Sequence, residues 1–453
     1  MKRIVQNLSW MAAALVLAAC EAPWNGPPDW NAIFQNHRVV EWEINTSSED
    51  WLKLIVDPGS WPCQEDDLGP NCESDYDCPQ TCRCDLYLDG GTCVTHYVEA
   101  DVRVDGKLYP QVGLRLMGRK RRAKRNMRIR FNKFIPDQRF HGVKRINIRN
   151  NAGDPTLIRE ALALELMRRA GVPAPRYSFV WVSVNGDSGG VYTLVQQVDK
   201  RFLESNFVDD FGNLYQIERG GKLVYQGDDP TQYDNFDRLY ELKTNELVAD
   251  KSDLISLMRI LAQGDAQRDL PGVLNVEAWL RLLAVNSWLA NMDSYPGTVD
   301  NLYLYHDAAG RFRTIPWDLN EAFGNYDGGT CEHTADDLIG LDPDFPTCGE
   351  VRPLVDRVLD EESFLEFYHQ ILRDLIDGAL HPDSVLVEME SMRGNIRERA
   401  YDDVLMDLDD GYSNEDFDSA FENDVPVGDN PVRVPGLKPF VLERDRVIRE
   451  NLF

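Results

Sequence analysis

The chain has 453 residues, 43% of them hydrophobic, with 48 basic against 76 acidic side chains and a formal net charge of −28 at pH 7. That length and apolar content can bury a sizeable core, as roughly two or three domains or one elaborated domain, and they exclude disorder as the default state. The charge excludes a general nucleic-acid binder, because most of this surface would repel a phosphate backbone, and it favours cations or basic partners.

The chain starts Met1-Lys2-Arg3, runs apolar from Leu8 to Ala19 and reaches Leu17-Ala18-Ala19-Cys20. A positive head, a short apolar run and small residues at its end make a secretory signal over residues 1–20. Its ending resembles a bacterial lipobox, which implies that Cys20 becomes an acylated first residue and that the protein is held at the cell envelope, periplasmic or at the surface. No later stretch offers the roughly 20 apolar residues of a spanning helix, so the expected membrane contact is through lipid alone. Residues 21–36, with three prolines, suit a tether.

The main domain is expected over residues 37–400. Val39 to Ile44 alternates like a half-buried strand, and Trp51 to Ile55 follows as a short helix or turn. Six cysteines (Cys63, Cys72, Cys78, Cys82, Cys84 and Cys93) then crowd residues 63–93, which read as an insertion. Export favours disulfides; a zinc knuckle is the rival, but paired CxxC spacing is missing. Cys331 and Cys348 are left to close a surface loop. Strand signals resume at Tyr97 to Val104, Asp105-Gly106 predicts a hairpin, and Tyr109–Met117, Arg128–Phe131 and Arg145–Arg149 add strands. Asp154 and Pro155 predict the N-cap and first residue of a helix reaching Ala170, stopped by Gly171 and Pro173. Strands at Ser178–Val184 and Val191–Val195 flank the turn Asn185-Gly186. Helical periodicity then dominates in Leu254–Leu261, Val276–Ala290, Ser363–Leu380 and Ser384–Ile396, interrupted by one hairpin, Asn301–Tyr305 with Phe312–Ile315. Residues 401–453 read as an acidic loop and a C-terminal helix. A β-rich half followed by a helical half is an α+β arrangement.

Two constellations carry chemistry. Between Arg115 and Lys133 stand ten basic residues and no acidic one. With Gly118, such a segment can surround phosphates, guanidinium forks and backbone amides serving as donors; the competing reading is a strand edge protected by charge. The second is Asn291-Met292-Asp293, Asp300-Asn301 and, across the hairpin, Trp317-Asp318-Leu319-Asn320. A hairpin joins its own ends, so Asn301 and Asp318 are expected close together. Protein kinases set a base Asp, a metal Asn and a metal Asp around a comparable loop, although a helix cap at Asp293 and a turn at Asp318 explain the same residues.

Several blocks in order resemble the CotH family of atypical protein kinases: Val112–Gly118, Lys124–Phe131, Ile158-Arg159-Glu160 with Gly171-Val172-Pro173-Ala174, Asn185-Gly186 with Gly190-Val191-Tyr192, Val198–Leu203, Asn213-Leu214-Tyr215, Asn291-Met292-Asp293 with Asn301–Tyr305, and Ile315–Leu319. The resemblance implies a kinase-like fold, ATP with Mg²⁺ or Mn²⁺, and phosphate transfer to Ser or Thr of an envelope or extracellular protein. By motif, Asp293 matches the catalytic base or substrate orienter, and Asn301 and Asp318 the metal positions, with Asn320 beside them. Lys124, helped by Arg115 and Arg130, matches the basic strand facing the phosphates.

Three departures qualify this. Asn320 stands where the family has an acid, Gln196 where it often has Glu, and Gln216 where it often has Lys, so both partners of one ion pair would be absent. A kinase-like module that binds without transferring phosphate is the alternative reading. The segment Asp403 to Asp429 has oxygens enough for Ca²⁺ but not the EF-hand spacing, and a solvated acidic loop is the expectation there. A two-carboxylate glycosidase is a distant third reading.

Overall fold

The computed structural model describes residues 26–55, 82–85, 92–95, 97–117, 123–325, 334–344, 347, 349–426 and 433–452. The signal and Cys20, most of the cysteine-rich segment, Arg119–Arg122, Cys331, Cys348 and Asp429 lie outside these. Of the insertion, the backbones of Cys82–Asp85 and Thr92–Thr95 form a short antiparallel ribbon in which Cys84 stands opposite Cys93.

Alternating residues make the first half a sheet, and the sheet closes. Strands β1 (Val40–Thr46), β2 (Val98–Val104), β3 (Lys107–Met117), β4 (Asn126–Arg130), β5 (Arg145–Arg149), β6 (Tyr177–Val184) and β7 (Gly190–Val195) form a seven-stranded barrel in the order β1-β2-β3-β4-β5-β7-β6. All seams are antiparallel but one: β1 runs parallel to β6, with Val40 opposite Val180. Period-2 patterning predicts each strand and says nothing of this seam, which joins distant segments. Asp105 and Gly106 both adopt positive φ, the backbone that a two-residue hairpin needs. Inside the barrel Trp42, Tyr109, Phe131 and Phe140 pack edge to face or stacked, with ring centroids 5.1–6.5 Å apart. Each such ring contributes roughly 1.5–3 kcal/mol by leaving water.

Two short helices, α1 (Trp30–Ile33) and α2 (Ser48–Ile55), stand before and after β1. Helix α3 (Arg159–Arg169) lies between the barrel and the helical half, with Leu162, Leu164, Leu166 and Met167 buried in the larger core. It begins later than Asp154-Pro155 predicts. Ile158 is its N-cap, while Asp154 folds back on Thr156 and accepts the Arg159 amide at 2.8 Å. Gly171, at φ +80°, ends the helix as expected.

Helices α4 (Ser252–Gln263), α5 (Val276–Trp288), α6 (Glu362–Ile376) and α7 (Pro382–Tyr401) follow. A four-stranded sheet, β9-β8-β10-β11, built of β8 (Asn213–Ile217), β9 (Tyr240–Leu242), β10 (Leu302–His306) and β11 (Phe312–Pro316), packs among them. The segment read as an acidic loop is structured instead: α8 (Val404–Asp410) and α9 (Asn414–Ser419) precede the C-terminal α10 (Leu437–Leu452). Among the described residues, no helix is long and apolar enough to cross a membrane.

Candidate functional site

The loop after α5 is built like a knot. Asn286 donates to Ser294 Oγ at 2.7 Å and to the Asn291 carbonyl, and Ser294 donates back to that carbonyl at 2.6 Å. Gly297 packs so closely that a Cβ would lie 1.9 Å from the Met292 carbonyl oxygen. This fixes Asp293, whose carboxylate accepts from Thr298 Oγ1 at 3.0 Å and from Asn301 Nδ2 at 2.9 Å. Asn301 in turn opens the hairpin and accepts the Trp317 amide at 3.0 Å, which brings Asp318 alongside. Asn301 thus bonds Asp293 on one side and, as the hairpin predicts, pairs on the other with the residue before Asp318.

Ala290, Val299, Asn301, Asp318 and Phe323 all hold positive φ. Left-handed backbone costs a side-chain-bearing residue about 1 kcal/mol or more, so five such residues around one loop mark stored strain of the kind concentrated at functional sites. Asp300 sits in the same corner. Burial pushes its carboxyl up to about 7, against the Asn301 amide, with Asp293 and Glu218 adding to the rise. Arg219 spans the two carboxylates, 3.7 Å from Asp293 and 3.8 Å from Asp300.

The cation at Asp318 is one that sequence reasoning missed. Arg149, the last residue of β5, lies 3.4 Å from Glu160 in the first turn of α3 and ion-pairs with Asp318 on its other side. Asp318 Oδ1 is shut off from solvent and meets Arg149 as an ion pair, not through an aligned hydrogen bond. Arg159 anchors the assembly: fully buried, it donates to the Phe323 carbonyl at 3.1 Å and to the Pro435 carbonyl. The Arg159-Glu160 pair was visible as a motif, but Arg149 has no local signal beyond ending a strand.

Lys124 is placed differently from the expectation. Its ammonium is buried and bonds Asp403 at 2.6 Å, and its amide and that of Ala123 donate to the Asp409 carboxylate at 2.7 and 2.6 Å. Arg115 and Arg130 lie on β3 and β4, Arg115 opposite Arg128 and Arg130 opposite Gly113. Arg130 donates to Asn132 at 3.4 Å. Asn320 is half-buried in the turn after Asp318.

The family profile of the CotH kinase protein matches residues 104–424, well over half of the chain. The chain belongs to the CotH family. It is also similar to the inner spore coat protein H of Bacillus subtilis (strain 168), 26% identical over 268 residues, covering 58% of this chain and 71% of that protein. The family match takes in α8 and α9, the acidic helices. The two glutamines that depart from the CotH pattern do not bond one another: Gln196 accepts the Arg176 amide at 3.1 Å, whereas Gln216 accepts from Tyr303 Oη at 2.9 Å. On the neighbouring strands Arg128 donates to Asn147, and Asn147 to Gln197.

Whether this CotH corner suits a divalent cation can be judged from its donors. Asp318 and the Asn301 amide oxygen are hard ligands. Among the described residues, no three His, Cys, Asp or Glu side chains gather into a cage. That set fits Mg²⁺ or Mn²⁺ carried on a polyphosphate, which takes one or two protein oxygens and fills its octahedron from phosphates and water.

Proposed function

We propose that the Asp293–Asn301–Asp318 corner binds a nucleoside triphosphate with Mg²⁺ or Mn²⁺, and that the chain transfers phosphate from ATP to Ser or Thr of envelope or extracellular proteins. The observation that supports this best is Arg149, held between the Glu160 carboxylate and Asp318. Protein kinases rely on the same relation, a cation steadied by a helix carboxylate beside a metal-binding Asp. In this reading Arg149 takes the phosphate-anchoring part first assigned to Lys124, with Arg115 and Arg130 as outlying cations. Asn301 and Asp318 would hold the metal, with Asn320 as a neutral neighbour. The metal, when bound, would offset charge on the phosphates. Asp293 orients the acceptor hydroxyl and takes its proton while the new P–O bond forms and the bond to the nucleoside diphosphate breaks.

The kinase-like fold and lipid attachment through Cys20 belong to the same proposal. The neutral Asn320 and Gln216 favour a second reading, a module that binds metal–nucleotide without transfer. Calorimetry with ATP and Mn²⁺, beside transfer to casein, decides between them. Asp318→Ala is expected to abolish metal-dependent nucleotide binding. Asp293→Ala is expected to bind normally and transfer nothing, as for a residue that acts mainly in the transition state. Wild type that binds through Asp318 yet transfers nothing establishes the second reading; wild type that binds no nucleotide ends both.

A further inference from the structure

At the other end of α3 lies a cleft that this function does not use. Its volume is about 390 Å³, within the range of small-ligand sites, and its walls include Trp30, Phe34, Glu165, Arg168, Arg169 and Arg176. Arg168 and Arg169 form the last turn of α3, roughly 12 Å along the helix from Glu160 at 1.5 Å per residue. Arg176 precedes β6.

In a chain with 28 more acidic than basic side chains, these three arginines are unusual. Among the described residues none lies within ion-pair distance of a carboxylate. Arg168 donates to the Ala174 carbonyl at 3.1 Å, Arg169 to the Ser384 carbonyl at 3.5 Å, and Arg176 to Gln196 Oε1 at 3.4 Å. Glu165, the one carboxylate among the lining residues, is engaged by Tyr177 Oη at 3.3 Å. The Arg176 guanidinium stacks on Trp30, 4.9 Å from the ring centroid, and Trp30 is itself held by a bond to Ser205 at 3.0 Å. Burial, with Arg168 adding, depresses Arg176 to about 10, so the two cations crowd each other. Gln196, buried beneath them, leaves Nε2 without an acceptor among the described residues. Three guanidinium groups against the Glu165 carboxylate leave the cleft with an excess of positive charge, and Arg176 is preorganised on an aromatic face.

We propose that this cleft is a binding site for a phosphate-bearing anion, separate from the Asp293–Asp318 corner. Guanidinium forks pair with phosphate through two parallel hydrogen bonds, and Arg168 and Arg176 supply two such forks. A free phosphate and the headgroup of an anionic lipid share this chemistry. The test uses the chain with Cys20→Ser, which carries no lipid of its own, with orthophosphate and pyrophosphate by calorimetry, and sedimentation with phosphatidylglycerol or phosphatidylcholine vesicles. Saturable binding of a phosphate, or of phosphatidylglycerol vesicles alone, is expected. Losing the charge-assisted bonds in Arg168→Gln/Arg176→Gln should weaken it about tenfold or more, while Asp318→Ala leaves it intact. Phosphate binding identifies a soluble ligand, and binding of anionic vesicles alone a headgroup. If the double variant melts early without ligand, Arg176→Gln carries the same comparison. Binding unchanged in the arginine variants, lost in Asp318→Ala, or seen with neither probe overturns the proposal.

Discussion

Lys124 and Arg149 each meet an aspartate from far along the chain, Asp403 in one case and Asp318 in the other. The first pair is sealed, with side chains 4% and 0% exposed; the second stands partly open, at 10% and 27%. Asp403 also accepts the Val191 amide at 2.8 Å and caps α8, so its carboxylate is spent on the fold. Asp318 has a face left for a ligand. The resemblance by motif pointed to Lys124, whereas exposure points to Arg149. A cation serves a ligand only where its own partner leaves room for one.

The largest effect should come from breaking the sealed pair. Asp403→Ala leaves a buried ammonium uncompensated, and denaturant unfolding is expected to show a loss of about 3–5 kcal/mol. Replacing both partners by apolar residues, Lys124→Met with Asp403→Leu, should recover much of that loss. A double variant as unstable as the single one would mean that the Val191 and helix-cap bonds, not the ion pair, do the holding.

Breaking the open pair should cost the fold less and the ligand more. Asp318→Ala leaves Arg149 beside Glu160, so a stability change of roughly 1 kcal/mol is expected, with metal-dependent ATP affinity gone. Arg149→Gln should weaken ATP by about tenfold through the lost charge-assisted bonds, read by calorimetry at fixed Mn²⁺. Equal ATP affinity in Arg149→Gln would return the phosphate-anchoring role to the basic segment on β3 and β4.

A smaller effect is expected at the end of β10, inside the second sheet, where His306 Nδ1 lies 3.0 Å from Asp253. The bond to Asp253 raises the imidazole above its ordinary 6.5, against burial that lowers it. A raised folded value contributes stability that is fully present below 6.5 and fades as pH rises through the folded value. The melting-temperature advantage of wild type over His306→Gln should therefore shrink as pH rises above 6.5. A constant difference would assign the residue's contribution to its stacking on Phe312, whose ring centroid is 4.7 Å away.

Much of this was legible in the sequence, and for local reasons. Arg145–Arg149 was predicted as a strand and is one to the residue, because alternation is written in consecutive side chains. Asn301 and Asp318 were expected together because a hairpin is a local constraint. Asp154 misled because its capping oxygen serves the turn at Thr156 before the helix begins. Asp403 was read as a solvated acid because its neighbours are acidic; its partner is 279 positions away, and no periodicity links the two. Arg149 stayed hidden for the same reason: its two carboxylates come from a helix and from a hairpin that only the folded chain brings to it.

The parallel seam between β1 and β6 bears on how the protein is made. During synthesis β1 emerges long before its neighbour, since Val40 must wait for Val180. Until then it can pair only with β2, across the cysteine-rich segment, and one of its edges stays open. Non-local pairings of this kind slow folding, because chain entropy is lost before the contacts return anything. An open edge rich in Val, Trp and Ile is also a template for the wrong partner. Glu41, Glu43 and Asn45 alternate with Trp42 and Ile44 along β1 and lie exposed or half-exposed. Those side chains act as gatekeepers for the nascent strand, keeping it soluble until the far side of the barrel arrives to close it.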